Sequence, residues 1–407
     1  MEAYWYCELI FLNRHVYYNK LGDENIIKIW DDDKYRLDDI YSKEAVTMEI
    51  RDKEENKIKT NLDYSQEYMK FANSYYKTGI YLVKDILHNR DSPRILDTVF
   101  PVALFLMRQG IELLCKALIL EKTSTEDALL LFKKNQHDLY NLWRAYQNLN
   151  RNISEKTSKK LSEYFENINV FDKNSDLWRY PLFEEDNNTQ EKIAMLEGRT
   201  ISIERTFGSL NNAFNMLLNL NEKPQSLEHY INFINENEDA LLNTHLWEDY
   251  DSREHYVGRA LGYIEAAKLT YSNELSIEEK EYPLFYLLRQ GIELLLKDYL
   301  ASNFKEVPHH HHIGFAKQGT GGKVISDLRC RVSPYRQCDL NIIGEMLKQI
   351  DKLDREGDRF RYPSSLSFAS KNIKTDRKID IDILYSYVIS IDEYFEYLDY
   401  LFWFLAR

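Results

Sequence analysis

Phe105-Leu-Met-Arg-Gln-Gly-Ile-Glu-Leu-Leu-Cys-Lys116 and Tyr286-Leu-Leu-Arg-Gln-Gly-Ile-Glu-Leu-Leu-Leu-Lys297 are one passage written twice in this 407-residue chain. Arg108–Leu114 and Arg289–Leu295 are identical, the second displaced from the first by 181 (289 − 108). A second pair follows in the same order: Phe171-Asp-Lys-Asn-Ser-Asp-Leu-Trp-Arg-Tyr-Pro181 and Leu353-Asp-Arg-Glu-Gly-Asp-Arg-Phe-Arg-Tyr-Pro363, displaced by 182 (363 − 181). Two blocks that keep order and spacing imply a duplicated domain.

At about 100° per residue, Met107, Ile111, Leu114 and Leu118 share one helix stripe, and Arg108, Glu112 and Lys116 form the stripe beside it. Phe105, Leu106 and Leu113 are apolar on the remaining sides, so the helix is predicted to be buried nearly all round. A buried charge persists only when paired, since removing one partner costs about 3 to 5 kcal/mol. Glu112 therefore calls for Arg108 or the arginine of the later Arg-Tyr-Pro block, Arg179; Glu293 calls for Arg289 or Arg361. Gly110 and Gly291, in mid-helix, predict close approach of another backbone. These residues, with Lys116 and Lys297, are either core ion pairs or the walls of a cleft in which both basic stripes bind phosphate.

The chain is long enough for two or three domains. Its composition, 44% hydrophobic and 29% charged, is that of an ordinary globular protein, and a net charge of −13 argues against coating nucleic acid by bulk electrostatics. No apolar run approaches the roughly 18 residues of a membrane span. Met1 to Leu12 lacks the pattern of a signal peptide, so a cytoplasmic location without membrane contact is expected. The four cysteines fit free thiols in a reducing compartment, with Cys115 a core residue.

Residues 1–60 read as a small β-rich element with a solvated acidic turn at Asp31–Asp33. From Leu62 the pattern is helical. The predicted order is a helical bundle over 61–222, a connector over 223–251 and a second bundle over 252–407. Pro101 places the start of the first repeated helix near Val102. His137-Asp138-Leu139 opens a further helix, and His137 is the candidate general acid or base of the first bundle, against a plainer capping or packing role. The corresponding stretch of the second bundle, His309–His312 followed by Gly319-Thr-Gly-Gly-Lys323, predicts a mobile loop in which that helix has lost its start. The Gly319–Lys323 run lacks the first glycine and the final Ser or Thr of a phosphate loop. The histidines with Cys330 and Cys338 lack zinc spacing, so neither metal nor cofactor is expected.

Paired helices carrying Leu-Arg-Gln-Gly-Ile-Glu-Leu-Leu-Lys, then His-Asp-Leu, then an acidic loop ending in Phe/Trp-Arg-Tyr-Pro, resemble the HEPN (higher eukaryotes and prokaryotes nucleotide-binding) superfamily, particularly its divergent bacterial members. The resemblance covers most of 62–220 and 252–406. It implies an all-helical fold, dimeric pairing (here an intramolecular pseudo-dimer, with homo-oligomers a further option) and roles in RNA cleavage within toxin–antitoxin and antiviral defence systems. The nuclease members carry an arginine four to six residues before a histidine, and none of the ten histidines here has one. The expectation is thus a mainly α protein of two tandem HEPN-like bundles related by duplication. It would be a non-catalytic or weakly active module binding RNA, a nucleotide or a partner protein. The alternatives are a metal-independent ribonuclease built on His137, Arg108, Arg179, Arg289 and Arg361, and a pure interaction scaffold.

Overall fold

The computed structural model describes residues 64–88, 93–180, 182–184, 192–194, 200–220, 245–247, 255–304, 313–314, 319–331, 337–354, 357, 359–363 and 379–405. The expected N-terminal β element, the Asp31–Asp33 turn, most of the 223–251 connector and the His309–His312 run lie outside these residues.

Among the described residues the protein is mainly helical, with eleven helices. The first half contains α1 (Tyr64–His88), α2 (Pro93–Leu120), α3 (Thr125–Asn135), α4 (Leu139–Leu149), α5 (Glu155–Asp172) and α6 (Ile203–Leu218). The second contains α7 (His255–Ser272), α8 (Ile277–Phe304), α9 (Thr320–Arg331), α10 (Gln337–Leu353) and α11 (Ile381–Leu405). Two three-residue antiparallel pairings, Leu182–Glu184 with Lys192–Ala194 and Thr200–Ser202 with His245–Trp247, accompany them. No described helix is long and apolar enough to cross a membrane.

The centre is built from two hairpins, α1–α2 and α7–α8, with α7 laid against α2 and α8 against α1. α4 and α6 cover α2 in the first half, while α9 and α11 cover α8 in the second. Because α2 and α8 are enclosed by neighbours, their residues are buried on every side from Val99 to Ile119 and from Pro283 to Lys297. In α2, Gly110 permits the crossing of α1: a Cβ there would sit 2.9 Å from Tyr76 Cβ and 3.0 Å from the Ala72 carbonyl oxygen. Gly291 meets the Ile264 side chain of α7 in the same way.

Two expectations are corrected. Pro101 lies inside α2, which reaches back to Pro93. An internal proline costs about 3 kcal/mol, and burial of Val99, Phe100 and Val102–Met107 outweighs that local penalty. Residues 320–323 of the glycine run are not a loop but the start of α9, and Thr320 is the counterpart, at the displacement of the first repeated block, of Leu139, which begins α4. There the Gly321 N–H donates to the Ile313 carbonyl (2.6 Å) and the Gly322 N–H to that of Gly314 (3.1 Å), so the opening turn is held by carbonyls of the preceding chain. Sequence periodicity also leaves α3 unassigned; its start is capped by Ser124, whose hydroxyl accepts from the Asp127 N–H at 3.2 Å.

Candidate functional site

The i, i+4, i+8 spacing of Arg108, Glu112 and Lys116 on α2 brings two cations to one carboxylate. Arg108 Nη1 donates to Glu112 Oε2 at 3.2 Å, and Lys116 Nζ to Oε1 at 2.6 Å. Arg108 turns its Nε toward Asp172 at the end of α5, 2.9 Å from Oδ2. Its Nη2 donates to the carbonyls of Asp172 (3.0 Å) and His137 (2.9 Å). Asp172 in turn accepts the backbone N–H groups of Asp176 and Leu177. One arginine thereby ties α2, the α3–α4 junction and the end of α5 together.

The second half repeats the set on α8. Arg289 Nη1 bonds Glu293 Oε2, Lys297 Nζ lies 2.9 Å from Glu293 Oε1, and Arg289 Nε lies 3.5 Å from Asp354 Oδ2. Asp354 accepts the Arg359 N–H at 3.1 Å.

The halves then exchange tyrosines. Tyr362, from the second Arg-Tyr-Pro, donates its hydroxyl to Glu112 at 2.8 Å, and Tyr180, from the first, donates to Glu293 at 3.1 Å. Each lysine sits over the incoming ring, Lys116 Nζ 4.4 Å from the Tyr362 centroid and Lys297 Nζ 4.6 Å from that of Tyr180. This geometry adds a cation–π attraction to the ion pair.

The arginines of these motifs bond elsewhere. Arg179 donates to Tyr286 Oη (3.1 Å) and Tyr180 Oη (2.9 Å), and Arg361 Nη2 donates to Gln109 Oε1 (3.2 Å). Between them Phe105 and Tyr286, which open the two copies of the repeated passage, stack at 5.0 Å. Both guanidinium groups lie about 6 Å from the Phe105 ring, 6.0 Å for Arg179 and 5.7 Å for Arg361.

None of Arg108, Glu112, Lys116, Arg179, Arg289, Glu293, Lys297 and Arg361 is more than 4% exposed. The basic stripes meet carboxylates, hydroxyls and rings in the interior rather than an open cleft. Glu112 is ionised in this setting: burial alone would raise its proton affinity, but Lys116, His137 and Arg108 hold its carboxyl well below the usual range.

His137 is the more accessible member of the cluster, with its side chain 22% exposed. Gln136, in the left-handed region at φ 47°, closes α3, and Asp138 caps α4 by accepting the Asn141 N–H at 2.8 Å. Between these two the chain turns the imidazole back onto α2. His137 Nδ1 lies 3.1 and 3.3 Å from the two Glu112 oxygens and 3.0 Å from Tyr362 Oη. With the tyrosine proton directed at Glu112, Nδ1 carries the ring proton and donates it to the carboxylate. Nε2 is then a bare acceptor on a partly exposed ring. Burial pushes the ring's proton affinity below the ordinary histidine value; Glu112 raises it, while Arg361 and Lys116 lower it further.

Sequence periodicity points to the stripe residues, and the structure gathers them with Asp172, Asp354, Tyr180 and Tyr362. All four of the added residues stand at matching places in the second repeated block, so the signal was present. What the spacing does not contain is the crossing of each tyrosine into the opposite half. Among the described residues no group of three or more His, Cys, Asp or Glu side chains could hold a metal ion. The amides of Gly321 and Gly322 are already bonded, which removes the phosphate-loop reading. The chain matches no family model, no curated protein and no solved structure.

Proposed function

We propose that the chain is a tandem HEPN-like protein. Its two helical units, 61–222 and 252–407, descend from one duplicated ancestor and pair as an intramolecular pseudo-dimer across the connector at 223–251. In this reading it is a cytoplasmic, non-catalytic module that works by binding a partner protein, in the bacterial defence or toxin–antitoxin setting that the resemblance implies. One observation carries the non-catalytic assignment: all six repeated cations, Arg108, Lys116, Arg179, Arg289, Lys297 and Arg361, are buried. A phosphate group would have to displace internal carboxylates and hydroxyls to reach them. The net charge of −13 favours a protein partner over nucleic acid in the same direction.

The test is to incubate the purified protein with total RNA and tRNA in chelator, and to recover it from a lysate of its own cell. No cleavage, no mobility shift and a stoichiometric protein companion are expected. A shift of RNA at physiological salt would overturn the choice of partner.

A second reading has one observation in its favour. His137 Nδ1 is held by Glu112 on a ring that is partly exposed, the arrangement of an oriented general base. Under it the protein is a metal-independent ribonuclease. Chelator-resistant cleavage lost in His137→Ala would establish that reading and displace the first.

A further inference from the structure

The repeated cations are spent inside the protein, so a charged surface has to come from cations that the repeat does not contain. Five of them gather at the tip of the α4–α5 hairpin. Gln147 Nε2 donates to Ser158 Oγ at 2.6 Å and Trp143 Nε1 to Ser162 Oγ at 3.0 Å, which lays the end of α4 beside the start of α5. At that end Arg144, Arg151, Lys156, Lys159 and Lys160 are all exposed. Residues 144–160 carry these five cations against one carboxylate, Glu155, a local charge of +4 that leaves −17 for the rest of a chain of net charge −13. None of the five has a basic counterpart in the second half at either repeat displacement, 181 or 182. Among the described residues they make one ion pair, Lys159 Nζ to Glu163 Oε1 at 3.8 Å, with both side chains more than half exposed. Arg144 bonds the Tyr140 hydroxyl at 3.2 Å. Nor does the fold ask for them. Lys156 lies in the first turn of α5 and Lys159 and Lys160 in the second, at the end where a helix dipole favours acids and disfavours cations. A local rule broken without internal compensation marks a place where the sequence answers to something outside the fold.

We propose that the tip of the α4–α5 hairpin is the docking face for an acidic surface of the partner protein, which Arg144, Arg151, Lys156, Lys159 and Lys160 recognise by charge. The inference deepens the partner-binding reading above and rests on it. Three features favour a protein over RNA. Leu149, 39% exposed, ends α4 at the same tip, and an apolar residue within a charged rim is the make-up of a protein interface. Among the described residues no exposed aromatic ring stands there to stack a base. A long polyanion leaving the tip would also run over surface that carries the remaining negative charge, whereas a compact acidic patch meets the tip alone.

Fluorescence anisotropy of the full chain with a labelled oligo-glutamate peptide, beside an RNA oligonucleotide of equal charge, tests the face. The peptide is expected to bind more tightly than the RNA, and to weaken between about 50 and about 200 mM salt. In Lys156→Glu/Lys159→Glu/Lys160→Glu its affinity is expected to fall by on the order of tenfold or more. All three positions are exposed, and acids at this end of α5 suit the helix dipole, so the urea midpoint of the variant is expected to equal or exceed that of the unmodified chain. Should the variant not fold, Lys156→Gln/Lys159→Gln/Lys160→Gln, which removes the charge without reversing it, decides by the same criteria. Absence of peptide binding, or equal binding by the folded variant, overturns the proposal. A companion recovered from the cell equally by both chains overturns it while leaving the partner-binding reading in place. RNA held more tightly than the peptide overturns both.

Discussion

Glu112 shows why residue type matters more than charge count in this interior. Two cations, a phenol and an imidazole converge on one carboxylate that no water reaches. Glu112→Gln keeps the shape and removes the charge, leaving Arg108 and Lys116 buried around a neutral amide. A loss of about 3 to 5 kcal/mol in unfolding free energy is expected from urea titration at neutral pH. The pH dependence should change as well. The normal carboxyl contributes stability above its unfolded value of about 4.3 that disappears as pH falls through its much lower folded value, and the amide contributes none of this. Cys115 beside it is a bystander: burial first, then the Glu112 charge, push its thiol far above the usual range, so it is unreactive.

At the scale of elements, the turn from α5 into the first Arg-Tyr-Pro and the turn from α10 into the second share a backbone bend. Ser175 (φ 66°) and Gly357 (φ 73°) both occupy the left-handed region and hold equivalent places in the second repeated block. In each half the bend precedes the tyrosine that reaches the other half. Glycine enters this region without steric cost, while other residues pay about 1 to 2 kcal/mol. Gly357→Ala is thus expected to lose about 1 kcal/mol, whereas Ser175→Gly, which also removes a buried hydroxyl lacking a hydrogen bond, should lose none. Urea midpoints of the two variants check the contrast; equal losses would contradict it. The helix pattern itself was legible. The stripe on α2 and α8 predicted burial on all sides, and Gly110 met another backbone as expected. Pro101 misled because a local rule was weighed without the neighbours that bury the helix around it, and the 319–323 run misled because its glycines suited close packing as well as a loop.

For the whole molecule, the two halves complete each other. Besides the exchanged tyrosines, Tyr75 donates to the Phe360 carbonyl at 2.6 Å, and Phe71 stacks on Tyr282 at 3.9 Å. Neither half can satisfy its buried glutamate with the same partners when alone. Calorimetry is expected to show one transition for the helical body, with calorimetric and van't Hoff enthalpies in agreement. Tyr180→Phe and Tyr362→Phe should each lower stability by about 1.5 to 3 kcal/mol, the range for a hydrogen bond to a charged group, and neither should split the transition. Two separate transitions would show that the exchange is ornamental to the fold.

The order of residues by itself determined that this chain is mainly helical, that one passage occurs twice, and that charges spaced four apart on an oily helix must find each other. Those are consequences of covalent sequence and helix period, which act over a turn or two. Only the tertiary structure decided that the cations are spent inside the protein, that Tyr180 and Tyr362 cross between halves, and that His137 stands at the edge of the cluster. Those outcomes join residues as far apart as Glu112 and Tyr362, 250 positions along the chain. At that range no periodicity operates, and the partner of a buried charge is settled by which surfaces pack together.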